Sequence, residues 1–380
     1  MKDKNIKNTE IEQRNLTIDI MKGICIVLVV LGHTYNTYTT NFIYLFHVGV
    51  FFILSGYCFN QNYTNSLKDL WILFKKRVQS LWIPYVFYNL FFLLLQNIWI
   101  KIGLLTSDDN YFSYAPFLAD GYSIPITLKD AIKAIIKSFF FMGTRPFAGA
   151  LWFLGGLFYV TFIYAILQFI MRKLRIEKFH IIVSLLLLIG GWLLVKLGLN
   201  EKISLLKQIA IICISEILFC IGTYIKEEIR LPNFRISIYY ACVVLFFVIL
   251  YVLSSFGTIS IGNVNIVNPL FYLISILSGG GLLLCFIKVL ISLNINLLIN
   301  ILSYIGKKTI PILALHFLSF KIITFIQWKI YGGEKILLAL FPVWKNSLIW
   351  SLAYLISGII FPLLICFLFS RFRISKIFRF

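Results

Sequence analysis

Charged residues leave long gaps along this chain, and each gap holds about 20 apolar residues, which restricts the possible folds more than any other feature. Hydrophobic residues make up 60% of the 380 residues and charged residues only 13%, whereas about a quarter of a soluble protein is charged. An α-helix needs about 20 apolar residues to cross the hydrocarbon core of a bilayer. The pattern therefore predicts an all-α, polytopic integral membrane protein.

Ten apolar runs are long enough to be predicted as membrane spans. An even number places both termini on one side, and Lys and Arg are about twice as frequent in the segments on that side. Because cytoplasmic loops carry the excess of Lys and Arg, both termini are predicted to be cytoplasmic. The runs lie at 20–38, 42–60, 80–100, 150–171, 180–199, 205–225, 237–256, 266–287, 309–328 and 347–369.

The predicted organisation is a cytoplasmic N-terminal segment at 1–19, a transmembrane domain at 20–370 and a basic cytoplasmic tail at 371–380. The first apolar run is long and no small-residue cleavage site follows it, so it is predicted to be a retained span. The chain is thus expected to be a multi-pass protein of the cell membrane, most simply a bacterial cytoplasmic membrane, with lipids as partners.

The stretch 131–149 is too short and too charged to span, and predicts an amphipathic helix on the outer surface.

Two classes of partner are not indicated. The net charge of +20 does not predict nucleic-acid binding, because the basic residues sit in short groups beside the spans, as the positive-inside rule expects. No two of the seven cysteines form a C-x-x-C pair, so no metal site is predicted.

Three ionisable residues in or at the start of the first predicted span are the leading candidates for function, because such groups are costly in a bilayer. Asp19 and Lys22 are three residues apart and can pair on one helix face. Lys22 and His33 are eleven apart, which on a helix is about three turns, nearly the same direction and roughly 16 Å along the axis. The alternative is a structural role, in which the Lys22 side chain extends to the membrane–water interface and His33 forms a hydrogen bond with a neighbouring helix.

Other polar residues in the spans have the same two interpretations. His47 opens the second span, Glu216 lies midway through the sixth, and His316 lies in the ninth. Each is a candidate catalytic residue or a structural hydrogen-bonding group. Arg77, Lys307 and Lys308, at predicted cytoplasmic ends of spans, either anchor lipid headgroups or hold phosphates. Arg145 and Trp152 flank the outer start of the fourth span. They are candidates for substrate binding, and the alternative is that they anchor the span at the membrane interface.

Five segments in this order resemble the membrane-bound acyltransferase-3 family, particularly its branch of fucose O-acetylase-like proteins and bacterial polysaccharide acetyltransferases. The resemblance runs from about Arg14 to the last span. Its first-span motif, a basic residue followed eleven positions later by histidine, is matched by Lys22 and His33. Lys22 stands where many members have Arg. A lysine offers phosphate a point charge, whereas an arginine can make a bidentate contact. The segments are "RNLTIDIMKGICIVLVVLGHT", "FHVGVFFILSGYCF", "KKRVQSLWIPY", "ALWFLGGLF" and "YIGKKTIPILALHF".

The resemblance implies a membrane O-acyltransferase that moves acetyl from cytoplasmic acetyl-CoA to a hydroxyl of an extracytoplasmic or lipid-linked glycan, with no permanently bound cofactor. His33 would be the general base or, alternatively, a transient acyl carrier. Asp19 would position Lys22, and the cytoplasmic cations would receive the CoA phosphates. Asp108 and Asp109, in a long outer loop, would bind the sugar together with Arg145 and Trp152. The competing hypothesis is a carrier or flippase for a lipid-linked or anionic solute, whose intramembrane charges line a transport path.

Overall fold

The computed structural model describes residues 2–115, 119–143, 146–228 and 234–370. The chain is 80% helical, and the described residues form no strand beyond two isolated β-bridges. The protein is an all-α polytopic membrane protein, as the hydropathy pattern predicts. The α-helices in this part of the chain are α1 Lys2–Gly32, α2 Thr37–Tyr44, α3 His47–Tyr57, α4 Leu67–Arg77, α5 Ile83–Leu94, α6 Gln96–Ile102, α7 Tyr111–Tyr114, α8 Leu128–Phe139, α9 Trp152–Lys173, α10 His180–Lys196, α11 Leu199–Lys202, α12 Ser204–Glu228, α13 Ile236–Ser254, α14 Pro269–Ser292, α15 Asn296–Lys307, α16 Thr309–Tyr331 and α17 Leu348–Phe369.

Eight helical segments of the described chain are long and apolar enough to cross a membrane, and a bent pair brings the number to nine. The bent pair joins Leu67–Leu94 to Gln96–Ile102 at an angle of 46°, and it corresponds to the predicted span 80–100. The nine segments match the second to tenth predicted spans in order. The first predicted span falls on α1, which begins well before it, at Lys2. The predicted tail at 371–380 lies outside the described residues.

The predicted surface helix at 131–149 is present in part, as α8. It begins earlier, at Leu128, because the Thr127 side chain accepts a hydrogen bond from the backbone N–H of Asp130 and caps the helix start. It ends at Phe139, and a 3₁₀ turn follows at Pro146–Leu151. Ile132 and Ile136 are about half exposed on α8, which fits a helix that lies along a surface.

The chain divides into two compact units, and the first comprises residues 1–28, 41–76 and 156–309. Within it, α3 and α12 touch backbone to backbone through two glycines. A Cβ at Gly56 would lie 2.0 Å from the carbonyl oxygen of Phe219, and one at Gly222 would lie 2.0 Å from that of Ile53. Small residues let membrane helices approach this closely, so Gly56 and Gly222 allow α3 and α12 to pack backbone to backbone.

The second unit comprises residues 29–40, 77–155 and 310–380. Its centre is α16, whose Lys321 side chain is buried and donates hydrogen bonds to the carbonyl oxygens of Leu338 at 3.0 Å and Leu340 at 2.7 Å. Phe147 and Phe341 pack beside the same ammonium group, at 6.0 and 5.7 Å from their ring centroids. The lysine therefore replaces its hydration shell with carbonyl dipoles and aromatic faces.

The predicted orientation can be tested with single cysteines introduced in the segments predicted to lie on the two sides. Thiols at Asp109 and Ser260 should react with an impermeant maleimide added to intact cells, because both lie in predicted outer segments. Thiols at Glu177 and Glu228 should react only after the cells are permeabilised. Labelling of Glu177→Cys in intact cells would invert the assigned topology.

Candidate active site

His33 lies at the end of α1 rather than inside a span that continues to residue 38. The helix ends at Gly32, although the His33 N–H still bonds to the Val29 carbonyl at 3.2 Å. The chain turns away because Tyr35 adopts a left-handed backbone conformation, with φ of 51°, which an α-helix of L-residues does not continue through. The predicted boundary was wrong because apolar content alone does not reveal this turn.

The structure brings His33 and His316 together within the second unit. Their rings stack, with centroids 5.3 Å apart and planes inclined by 24°. Phe317 packs edge-on against His33 at 4.8 Å, so the pair has an aromatic wall. His33 is half-buried and His316 is fully buried. Two of the catalytic candidates from the sequence, 283 positions apart, therefore form one pair.

The hydrogen bonding of His316 defines which ring nitrogen can accept a proton. Nδ1 lies 3.0 Å from the carbonyl oxygen of Ile312, so in the neutral ring Nδ1 carries the hydrogen and donates it there. Nε2 then holds the lone pair. Nε2 is buried and has no hydrogen-bond partner among the described residues. His316 is thus oriented by its own helix and presents a basic nitrogen away from Ile312.

The other histidine candidate, His47, belongs to the first unit. Its Nδ1 lies 2.7 Å from the Ile43 carbonyl oxygen, and Tyr44 packs beside its ring at 5.1 Å. The residue is buried at the first position of α3. His47 therefore has the same local bond as His316, but the structure gives it no histidine neighbour among the described residues.

The cationic candidates of the first unit gather where α1 crosses α15. Asp19 lies 4.0 Å from Lys307, so the cation beside this carboxylate is Lys307 rather than Lys22. A Cβ at Gly306 would lie 1.8 Å from the Asp19 carbonyl oxygen, and one at Gly23 would lie 2.0 Å from that of Leu302. This backbone contact brings half-buried Lys22 to the same crossing as Lys307.

The remaining cations differ in setting. Lys308 follows α15 as its C-cap residue, next to Lys307. Arg77 belongs to the second unit, where it ends α4 and is half-buried. One π-helical turn, Val78–Trp82, follows Arg77 directly. Such turns are uncommon in helices and recur at functional sites.

The candidates for acceptor binding are engaged in local structure. Asp109 accepts a hydrogen bond from the Tyr122 hydroxyl at 2.8 Å, and this bond raises the pKa of Tyr122. Asp108 accepts one from the backbone N–H of Asn110 at 2.9 Å. Trp152 is half-buried at the start of α9. Arg145 lies outside the described residues.

A second buried histidine site, in the first unit, was missed by the sequence analysis. His180 lies between Gln168 and Glu216: its Nδ1 is 2.5 Å from Gln168 Oε1 and its Nε2 is 3.0 Å from Glu216 Oε1. Tyr164 stacks on the imidazole with centroids 4.6 Å apart. The signal was Glu216 itself, because a mid-span carboxylate requires a partner, and the first residue of the preceding apolar run is His180.

No three His, Cys, Asp or Glu side chains in the described part of the chain are grouped so that they could hold a metal ion.

The family model for the acyltransferase domain of the acyltransferase-3 family matches residues 15–371. The chain belongs to the acyltransferase-3 family. The match covers both units and every candidate residue named above. No curated protein and no solved structure matches the chain. As a family member it is a membrane acyltransferase.

The Glu216 and His180 pair is expected to support the fold rather than the chemistry. Glu216→Gln keeps an oxygen acceptor for His180 Nε2, so the protein should retain acyl transfer and its melting temperature in detergent. Glu216→Leu leaves a buried ring nitrogen without its partner and should lower stability by about 1–3 kcal/mol. Loss of transfer in Glu216→Gln at an unchanged melting temperature would instead make Glu216 a catalytic residue.

Proposed function

We propose that this acyltransferase moves an acetyl group from cytoplasmic acetyl-CoA to a hydroxyl of an extracytoplasmic or lipid-linked glycan, with His33 as the general base. The observation that carries the proposal is the stacking of His33 on the buried, oriented His316. A half-buried imidazole can reach a substrate, whereas the fully buried ring behind it limits how the first can rotate. General bases require such fixed geometry.

The reaction needs one proton carrier. His33 takes the proton of the acceptor hydroxyl as the hydroxyl oxygen attacks the thioester carbonyl carbon. The C–S bond then breaks, and the CoA thiolate leaves and recovers the proton from the imidazolium. The products are an acetyl ester and a free thiol, so no proton is gained or lost overall. Neutral imidazole suits both steps because its ordinary pKa lies near physiological pH.

The donor is proposed to bind with its phosphates at the crossing of α1 and α15. Lys22, Lys307 and Lys308 provide three cations there, and Asp19 offsets one of them at 4.0 Å. Phosphate groups are recognised by such clusters through charge-assisted hydrogen bonds. The proposed base, His33, follows Lys22 by eleven residues in the sequence.

The acceptor is proposed to approach from the opposite side. Asp108 and Asp109 lie in the exposed segment before α7 and, together with Trp152 and Arg145, remain the candidates for sugar binding. Thiol release from acetyl-CoA by purified protein in lipid vesicles, dependent on added cell-envelope polysaccharide, tests this function. A carrier would move its solute without releasing thiol.

Replacement of His33 should abolish transfer. His33→Ala and His33→Gln should both reduce the rate of acceptor-dependent thiol release by about a hundred- to ten-thousandfold, because glutamine keeps hydrogen bonding but cannot hold a proton near pH 7. Protein levels in the membrane should stay close to normal. His47→Gln is the matched control, since His47 has the same backbone bond as His316 but lies in the first unit. Near-normal turnover in His33→Gln would move the role of base to His316.

Lys22 should act on the donor. Lys22→Ala should raise the KM for acetyl-CoA because a phosphate contact is lost, and Lys22→Arg should be largely tolerated because the charge persists. The control is Lys288→Ala, which removes another half-buried lysine of the first unit. Equal loss of activity in Lys22→Ala and Lys22→Arg would indicate a structural role and would remove Lys22 from the donor site.

A further inference from the structure

One segment of the second unit is bonded both to α16, which carries His316, and to the turn that follows His33. This segment, Leu338–Asn346, is called the strap here. It follows α16 and precedes α17. Buried polar side chains form hydrogen bonds with its backbone at several points. The backbone of an ordinary surface loop would bond to water instead.

Two side chains of α16 form hydrogen bonds with the backbone of the strap, one near its start and one near its end. Buried Lys321 donates to the carbonyl oxygens of Leu338 and Leu340 at the start of the strap. Near its end, the buried amide of Gln327 donates to the Lys345 carbonyl oxygen at 2.9 Å and accepts from the Lys345 N–H at 3.3 Å. Gln327 is eleven residues beyond His316, so both lie on nearly the same face of α16.

Tyr354 of α17 completes this attachment. Its hydroxyl donates to Gln327 Oε1 at 2.9 Å and accepts from the backbone N–H of Trp344 at 3.2 Å. Tyr354 and Gln327 are both fully buried. The middle of the strap is therefore held by two helices rather than one.

The last residue of the strap is bonded to the turn that follows His33. The Asn346 side chain donates from Nδ2 to the Tyr35 carbonyl oxygen at 2.8 Å. The buried Asn36 side chain returns a bond from its Nδ2 to the Asn346 carbonyl oxygen at 3.1 Å. Ser351, also buried, donates to that same carbonyl at 3.1 Å. Tyr35 is the residue with φ of 51°, so the link holds the unusual turn itself.

We infer that the strap keeps His33 and His316 in register, and that Asn346 is a positioning residue for His33. His33 follows the last helical residue of α1, so the direction of its side chain depends on the turn at 34–36. Asn346 fixes that turn, while Lys321 and Gln327 fix the same strap to the helix of His316. The expected effect on turnover rests on the proposed function, whereas the expected effect on the position of His33 does not.

The kinetic consequence is a loss of turnover without a loss of donor binding. In Asn346→Ala, the turn after His33 loses its bond from the Asn346 side chain, so His33 can shift from its stacked position. A displacement of about 1 Å in a reacting group can reduce a rate by about a hundredfold. The kcat for thiol release should fall by roughly ten- to a hundredfold, while the KM for acetyl-CoA stays unchanged. Asn346→Gln retains an amide donor and should recover part of the loss.

The matched control is Asn97→Ala. Asn97 also joins two chain segments of the second unit through its amide, with bonds of 3.2 and 2.8 Å to the backbone of Ile126, but it has no bond to the turn after His33. Asn97→Ala should leave kcat within about twofold of the original. The double variant Asn36→Ala/Asn346→Ala should lose more turnover than Asn346→Ala, because Asn36 bonds the backbone carbonyl of residue 346 and that second link remains in the single variant.

A second measurement does not require activity. Diethylpyrocarbonate modifies accessible neutral imidazoles, and peptide mass spectrometry gives the rate for each histidine. The His33 rate should rise several-fold in Asn346→Ala and stay unchanged in Asn97→Ala. Buried His180, whose two ring nitrogens are both bonded, should stay unmodified in each protein. An unchanged His33 rate in Asn346→Ala would overturn the positioning role. If that rate rises but the original protein releases no thiol, the positioning role stands and the proposed function fails.

Discussion

The hydrocarbon core of a bilayer offers no water to backbone groups, and this constraint accounts for the main features of the fold. Helices satisfy their own N–H and C=O groups, so the apolar runs become helices. Wherever the chain of the second unit leaves helical geometry, side chains must bond the groups that are released. Asn36 and Asn346 do so after α1, and Lys321 and Gln327 do so along Leu338–Asn346.

The same principle separates the two buried histidine sites. In the first unit, both ring nitrogens of His180 face an oxygen, one from Gln168 and one from Glu216, so little capacity is left for a substrate. In the second unit, Nε2 of His316 has no partner in the described residues, and half-buried His33 stacks in front of it. A histidine whose bonds are complete supports packing, whereas one with a vacant lone pair is available for chemistry.

The sequence predicted most of the fold but only part of the candidate site, for physical reasons. Run length predicted nine of the spans in order, and the spacing of Lys22 and His33 indicated the family. The pairing of His33 with His316 could not be predicted, because no local pattern reports a contact across 283 positions. Asp19 was expected beside Lys22, but Gly306 allows α15 to approach so closely that Lys307 takes that place. The end of α1 was misplaced because the bond that stabilises the turn comes from Asn346.

The bond between Asn36 and Asn346 joins residues 310 positions apart, and this separation sets the order in which the protein is assembled. A ribosome adds about 5–20 residues per second, so roughly 15–60 s pass between the synthesis of the two asparagines. During that interval the first helix is already made while the turn after His33 lacks the partner that fixes it. The turn after His33 therefore acquires its bonds to Asn346 only when nearly the whole chain has been made, and an incompletely synthesised chain would be inserted in the membrane without them.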